Sequence, residues 1–303
     1  MSENQNKAWG DFWARQQARG GGGCLPDGWG AIEAAQRAVW TRFAQDLPQE
    51  CRVLDLATGD GRVMGWLKEA RPDIAVEGVD LAPQLPDPPA GTTSTGGVPM
   101  EELPFPDAAF GAVVSQFGFE YSRIELTAGE IARVLQPGGR AALLTHRLDG
   151  PIMAHNCKRR MQIGWLFDRK SLFAVAQRTL EARGHAFAAT PAAIGEIVTE
   201  ASQRFGPQSA AWEIAEAVRR TLVMPGTVPA GQIAQTLDLI SEQARNEIGR
   251  IDSLEGACRV TADEFRLAQA FTRAGLRPVS QEQLGEEGGK EPFADFRIQT
   301  TAT

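Results

Sequence analysis

Short apolar runs alternate along this chain with longer segments whose apolar residues recur every three to four positions, which predicts an α/β protein. The runs Val53-Leu54-Asp55-Leu56, Ile74-Ala75-Val76-Glu77-Gly78-Val79, Ala112-Val113-Val114-Ser115 and residues 141–146 read as buried strands of a doubly wound sheet. A helix is expected over 60–70 and another over 261–274, the second with Thr261 as N-cap, Glu264 in the capping-box position and Gly275 as the stop. Residues 277–284 and 293–300 then read as two closing strands. Between strand five and that last helix, 168–183, 191–204, 207–222 and 228–248 carry helical periodicity, with Thr190-Pro191 and Gly206-Pro207 as starts. Residues 1–48 should be mainly helical, with Trp9, Trp13, Trp29 and Trp40 spread around the run Gly20-Gly21-Gly22-Gly23.

The stretch from Asp55 to Gly61 runs a strand into a glycine turn and straight into a helix. Such a turn aims free backbone N–H groups and the positive end of the helix dipole at whatever lies above it. Gly59 and Gly61 have no Cβ to hold a ligand off the backbone. One strand further on, Asp80 is placed to accept hydrogen bonds from ribose hydroxyls. A dinucleotide fingerprint would read G-x-G-x-x-G, whereas the order here is Asp55-x-Ala57-x-Gly59-x-Gly61 with Asp60 in the loop. Those acids disfavour a pyrophosphate and accommodate a ligand that carries an ammonium and a sulfonium.

This pattern resembles motif I of the class I S-adenosylmethionine-dependent methyltransferases, usually D-x-G-x-G-x-G, with Ala57 replacing the first glycine. The segment from Met100 to Phe110, Met-Glu-Glu-Leu-Pro-Phe-Pro-Asp-Ala-Ala-Phe, resembles the A-E-x-LPF-x-D-x-x-F segment that lies against the adenine in that family. Glu130-Ile131-Ala132-Arg133-Val134-Leu135-Gln136-Pro137-Gly138-Gly139 resembles its E-x-x-RVL-x-PGG crossing, in which Pro137 would stop the helix. Phe117-Gly118-Phe119-Glu120-Tyr121 is distantly similar to the F-G-I-R-N stretch of the ubiquinone and menaquinone C-methyltransferases, with Glu-Tyr reversing the charge of Arg-Asn.

The resemblance implies a Rossmann-like sheet of seven mostly parallel strands in the order 3-2-1-4-5-7-6, with S-adenosylmethionine as cofactor and S-adenosylhomocysteine as product. It implies cofactor contacts from Asp55, Ala57, Thr58, Gly59, Gly61, Asp80, Leu81, Met100, Glu101, Gln116 and Phe117. It also implies that the N-terminal segment acts as a lid. The expected division is then a lid over 1–48, a cofactor-binding domain over 49–150 and 260–303, and a helical insertion over 151–259. The insertion is expected to cap the substrate pocket, although a homodimer interface would show the same amphipathic pattern.

Composition narrows the partners. The 38 acidic and 31 basic residues give a net charge of −7, which opposes nonspecific association with nucleic acid, so a small-molecule methyl acceptor is favoured. Lys158-Arg159-Arg160 and Arg219-Arg220 read as solvated helix faces. No apolar run is long enough for a bilayer span and the start is polar, so no membrane association and a cytoplasmic location are expected. The four cysteines form no C-x-x-C pair, so no metal is expected. Methyl transfer needs alignment above all, and a base only if the nucleophile arrives protonated. The candidates for that role, at the ends of strands four and five, are His146, Glu120 and Tyr121. Two other readings stand beside the enzyme: a noncatalytic S-adenosylmethionine-binding module, and a nicotinamide-dependent oxidoreductase, against which the missing third glycine argues.

Overall fold

The computed structural model describes residues 29–182, 192–225, 227–286 and 291–302. Trp9, Trp13, the run Gly20-Gly21-Gly22-Gly23, His185 and the expected helix start at Thr190-Pro191 lie outside the described residues. Seven strands form one sheet: β1 (Arg52–Leu56), β2 (Ala75–Asp80), β3 (Thr92–Gly96), β4 (Phe110–Gln116), β5 (Leu135–His146), β6 (Arg277–Gly285) and β7 (Pro292–Thr300). Their order is β3-β2-β1-β4-β5-β7-β6, the order implied by the resemblance. β1 to β5 pair in parallel, and β7 runs antiparallel to both β5 and β6. Because parallel strands all end on the same edge, the carboxyl ends of β1, β2, β4 and β5 gather the turn, Asp80, Gln116 and His146 there.

Nine helices complete the described residues: α1 (Gly30–Gln45), α2 (Arg62–Ala70), α3 (Ile124–Val134), α4 (Pro151–Gly164), α5 (Leu172–Ala182), α6 (Ala192–Phe205), α7 (Ala210–Leu222), α8 (Ala230–Ala262) and α9 (Glu264–Arg273). The chain divides into two compact units, one holding Ala154–Asp252 and the other everything before and after it. On one face of the sheet, Trp40 and Phe43 of α1 meet Phe296 of β7 edge-on at 5.3 and 6.4 Å between ring centres. On the other, Phe119 stacks on Phe271 of α9 at 5.7 Å, within a core that also takes Ile124, Ile131 and Val134 from α3. In the helical unit, Leu172, Ile194, Ala211, Val218 and Leu222 build a separate core.

Several element ends differ from expectation, each for a local reason. Helix α3 stops at Val134, and Leu135 already pairs with Phe110, so Pro137 lies inside β5 and does not end the helix. The residue before a proline resists helical torsions, and the chain leaves the helix ahead of that constraint. The last helix is not a single piece from 261 to 274. Helix α8 runs past the expected end at 248 as far as Ala262, and Thr261 is buried in its final turn with its hydroxyl donating to the Cys258 carbonyl. Asp263 is the N-cap of α9, accepting the Arg266 N–H at 3.0 Å. Helix α7 starts at Ala210 behind the Ser209 cap, three residues after Pro207. A π-helical turn over Trp165–Arg169 and Ser171 at φ 46° separate α4 from α5, where one helix from 168 was expected. Helix α4 had no strong periodic signal because its cations face acids of α8: Arg159 meets Glu247 at 2.6 Å and Arg160 meets Asp252 at 2.6 Å. No described helix is long and apolar enough to cross a membrane.

Candidate functional site

The turn after β1 is built from backbone that only small residues accept readily. Ala57, Gly59 and Gly61 all hold positive φ, at 56°, 54° and 74°. For Ala57 that torsion is strained, which explains why glycine suits the position. Its methyl group is accommodated by Gly118, where a Cβ would come within 2.3 Å of the Ala57 Cβ. Thr58 is buried, its N–H donating to the Val79 carbonyl at 3.0 Å and its hydroxyl to Asp55 Oδ2 at 2.7 Å. Gly78 leaves the room for that hydroxyl, since a Cβ there would stand 2.6 Å from it.

The two strand-end acids are held differently. Asp55 is enclosed, and burial pushes its carboxyl up to about 7, against the Thr58 hydrogen bond, with Asp80 and Asp60 adding repulsion. Asp80 accepts the Gly59 N–H on Oδ2 at 3.0 Å and the Ala82 N–H on Oδ1 at 2.9 Å. Burial raises its pKa while these backbone donors pull it down. Each Asp80 oxygen keeps a second lone pair, so the carboxylate bridges the turn to the end of β2 and retains acceptor capacity for a pair of hydroxyls. Leu81 beside it is 40% exposed, an apolar surface at the same strand end. Asp60 is not a free charge: Arg62 grips it at 2.7 Å, so the electrostatic case against a pyrophosphate falls to Asp55 alone.

The segment after β3 is clamped from α3. Arg133 donates to the carbonyls of Leu103 and Phe105 at 3.0 and 2.7 Å and to Glu130 and Asp107, while Glu130 accepts the Leu103 N–H at 2.6 Å. Met100 packs against the core beneath it, and Glu101 accepts the Arg123 N–H at 3.0 Å. The Glu130/Arg133 pair was legible in the sequence as a motif, but not as the device that fixes this loop.

At the end of β4, Gln116 is engaged by α1. Trp40 Nε1 donates to its Oε1 at 2.6 Å, and its Nε2 donates to Gln36 Oε1 at 3.3 Å. Its amide is therefore committed to the N-terminal helix, and Trp40, for which the sequence signals no role, is the residue that holds it. Phe117 follows at φ 56°, its ring stacked on the His146 imidazole with centres 3.8 Å apart and planes 22° from parallel. Glu120, on the 3-10 turn Phe119–Tyr121, accepts both the backbone N–H of His146 at 3.0 Å and a contact from its Nδ1 at 2.9 Å, all on Oε1. Tyr121 is half-buried on the same turn. Two of the three candidate catalytic side chains thus meet. Among the described residues, no group of three potential metal ligands comes together.

Residues 54–143 match the family described as Methyltransferase domain. The demethylmenaquinone methyltransferase of Thermus thermophilus is 40% identical over 35% of this chain and 53% of its own length. The ubiquinone/menaquinone biosynthesis C-methyltransferase UbiE of Geobacter sulfurreducens is 37% identical over 31% of this chain and 41% of its own. The malonyl-[acyl-carrier protein] O-methyltransferase of Herminiimonas arsenicoxydans is 33% identical over 38% of this chain and 45% of its own. The chain spans about half the length of the curated relatives it matches. The matched segment runs from β1 into β5 and holds the turn, Asp80, the clamped loop and the Phe117–Glu120 turn together. Over residues 54–143 the chain thus resembles a methyltransferase domain.

Proposed function

We propose that this chain transfers a methyl group from S-adenosylmethionine to a small-molecule acceptor. The observation that carries the reading is Asp80, fixed by two backbone N–H groups across the turn with acceptor capacity left over at the sheet edge. In this reading Asp80 takes the ribose hydroxyls, Leu81 and Met100 lie against the adenine with the Glu101 backbone beside it, and the small-residue turn of Ala57, Thr58, Gly59 and Gly61 lets the amino-acid end approach closely, its Thr58, Gly59 and Gly61 N–H groups being already engaged within the protein. Asp55 holds Thr58 and thereby the turn. Bound S-adenosylmethionine supplies an electrophilic methyl carbon on a sulfonium, and the work left to the chain is alignment, which accounts for roughly 7–11 kcal/mol of such barriers.

The relatives' names span carbon and oxygen acceptors, so the acceptor here is proposed only as a small molecule. The helical insertion, which begins five residues after His146, is proposed to select it. Calorimetric titration with S-adenosylhomocysteine, S-adenosylmethionine and NAD tests the assignment. Saturable binding of both sulfur ligands and none of NAD is expected. NAD binding without a response to either sulfur ligand would sink the reading.

A further inference from the structure

The Glu120 carboxylate is enclosed, its side chain 0% exposed, and among the described residues no arginine or lysine pairs with it. Its two donors among the described residues both come from His146, the backbone N–H and ring Nδ1, and both fall on Oε1; Oε2 has no hydrogen-bond partner among the described residues. With Glu120 ionised, the 2.9 Å contact places the proton on Nδ1, because a carboxylate only accepts hydrogen bonds. In the neutral ring the lone pair is then on Nε2. An enclosed carboxylate with so few donors is costly for a merely structural contact.

The imidazole is fixed from a third direction as well. Phe117 lies flat against it, and Phe117 itself holds a left-handed torsion that is strained for a non-glycine residue. The strain is locked in by the Phe117 N–H, which donates to the Leu144 carbonyl at 2.7 Å, and by Gly118, whose missing side chain lets the next residue close on Ala57. The stacked pair thus adjoins the glycine turn through the Gly118–Ala57 contact.

We propose that His146 is the base of the reaction, with Glu120 and Phe117 as its positioning residues, and that the methyl acceptor is a phenol or enol delivered with its hydroxyl proton. The inference rests on the methyltransferase reading above. An acceptor nitrogen that arrives neutral, as in an aromatic amine, attacks through a lone pair and sheds its proton to water afterwards, so it needs no fixed base. A hydroxyl is a poor nucleophile until ionised, and a carbon acceptor activated by that hydroxyl has the same requirement. His146 Nε2 takes the hydroxyl proton. The electron pair freed on oxygen, or relayed to the carbon it activates, forms the new bond to the methyl carbon as the carbon–sulfur bond breaks and leaves its pair on sulfur. The imidazolium then returns the proton to solvent.

The test uses the full chain saturated with S-adenosylhomocysteine and 4-nitrophenol as an acidic hydroxyl probe. Only three histidines are present, so the His146 ring nitrogens are assigned in 15N spectra by their loss in His146→Gln. The wild type should show Nδ1 protonated and Nε2 bare, and Glu120→Gln should populate both tautomers. Bound 4-nitrophenol should show the phenolate band in the wild type and lose it in His146→Gln, with the same loss in His146→Asn as a second variant. Both variants should keep wild-type affinity for S-adenosylhomocysteine, which certifies their folding. An Nε2-protonated ring, a tautomer indifferent to Glu120→Gln, the same phenolate band in wild type and variants, or no saturable probe binding overturns the proposal. Wild-type protein that fails to bind S-adenosylhomocysteine overturns the methyltransferase reading itself, and the tautomer remains measurable on the free chain.

Discussion

The acids at the carboxyl edge of the sheet and the acids of the helical unit are satisfied in opposite ways. Asp55, Asp80 and Glu120 are buried and have a hydroxyl, backbone N–H groups or an imidazole as donors, with no arginine among them. In the helical unit, Glu216 sits between Arg219 and Arg220, Glu247 meets Arg159, Asp252 meets Arg160 and Glu200 meets Lys170. Burial raises the pKa of Asp55 to about 7, whereas the arginines lower that of Glu216 to about 2. Acids paired with cations in this way hold helices in place. Acids enclosed without a cation keep unused acceptor capacity, and groups perturbed as Asp55 and Asp80 are collect where a protein meets a ligand.

The largest expected effect concerns Asp55. Its pKa is raised on folding, so the folded state holds its proton more tightly than the unfolded chain. The sign follows: the stability associated with this group is full below about pH 4 and is lost as pH rises through about 7. Asp55→Asn, which mimics the protonated acid, should gain on the wild type by roughly 2–4 kcal/mol between pH 4 and 8. Urea unfolding of both proteins at several pH values measures the gap. A gap independent of pH would show that Asp55 is not an enclosed unpaired acid, and the contrast between the two regions would lose its strongest member.

Asp80 comes next. Asp80→Ala removes the bridge and leaves the Gly59 and Ala82 N–H groups without their acceptor. Charged hydrogen bonds are each worth about 1.5–3 kcal/mol, so affinity for S-adenosylhomocysteine should fall roughly 10- to 100-fold. Calorimetry on a variant whose circular dichroism matches the wild type is decisive. An unchanged dissociation constant would place the ribose elsewhere.

The strand edge was legible in the sequence because its signals are local. Apolar runs ending in Asp55 and Asp80, and glycines two apart, occupy one short stretch each. The partnerships were not legible. Trp40 and Gln116 are 76 positions apart, and Glu120 and His146 were each singled out without any signal that adjacent strands would join them. Sheet order supplies that information, and here it came from resemblance and not from the residues. Helix ends failed for a different reason: Thr261 was expected as the cap, and the role fell to Asp263 because the Thr261 hydroxyl found the Cys258 carbonyl inside α8.

Arg133 sharpens the comparison from within the sheet unit, because it is an ion-paired residue near the ligand edge. It joins two carbonyls of the loop to Glu130 and Asp107. Arg133→Ala should cost about 1–3 kcal/mol of stability, read from denaturant midpoints. Its effect on S-adenosylhomocysteine affinity should be smaller than that of Asp80→Ala, since the loop backbone is loosened and no assigned ligand contact is removed. A larger loss of affinity than in Asp80→Ala would mean that the paired residues, too, carry the site.

Glu216→Gln should have the smallest effect and the opposite pH sign. Glu216 is shielded, but its partners Arg219 and Arg220 stand 31% and 71% exposed, so solvent screening holds the pair to about 1 kcal/mol or less. The folded pKa is depressed, so this contribution is present above the unfolded carboxylate range and is lost as pH falls from about 5 towards 2. The gap between wild type and Glu216→Gln in urea midpoints should therefore shrink on acidification, where the Asp55→Asn gap grows with rising pH. It should also shrink in high salt. Affinity for S-adenosylhomocysteine should stay at the wild-type value. A gap that widens at low pH, or a cofactor affinity that moves with Glu216, would erase the division between acids that hold helices and acids that face a ligand.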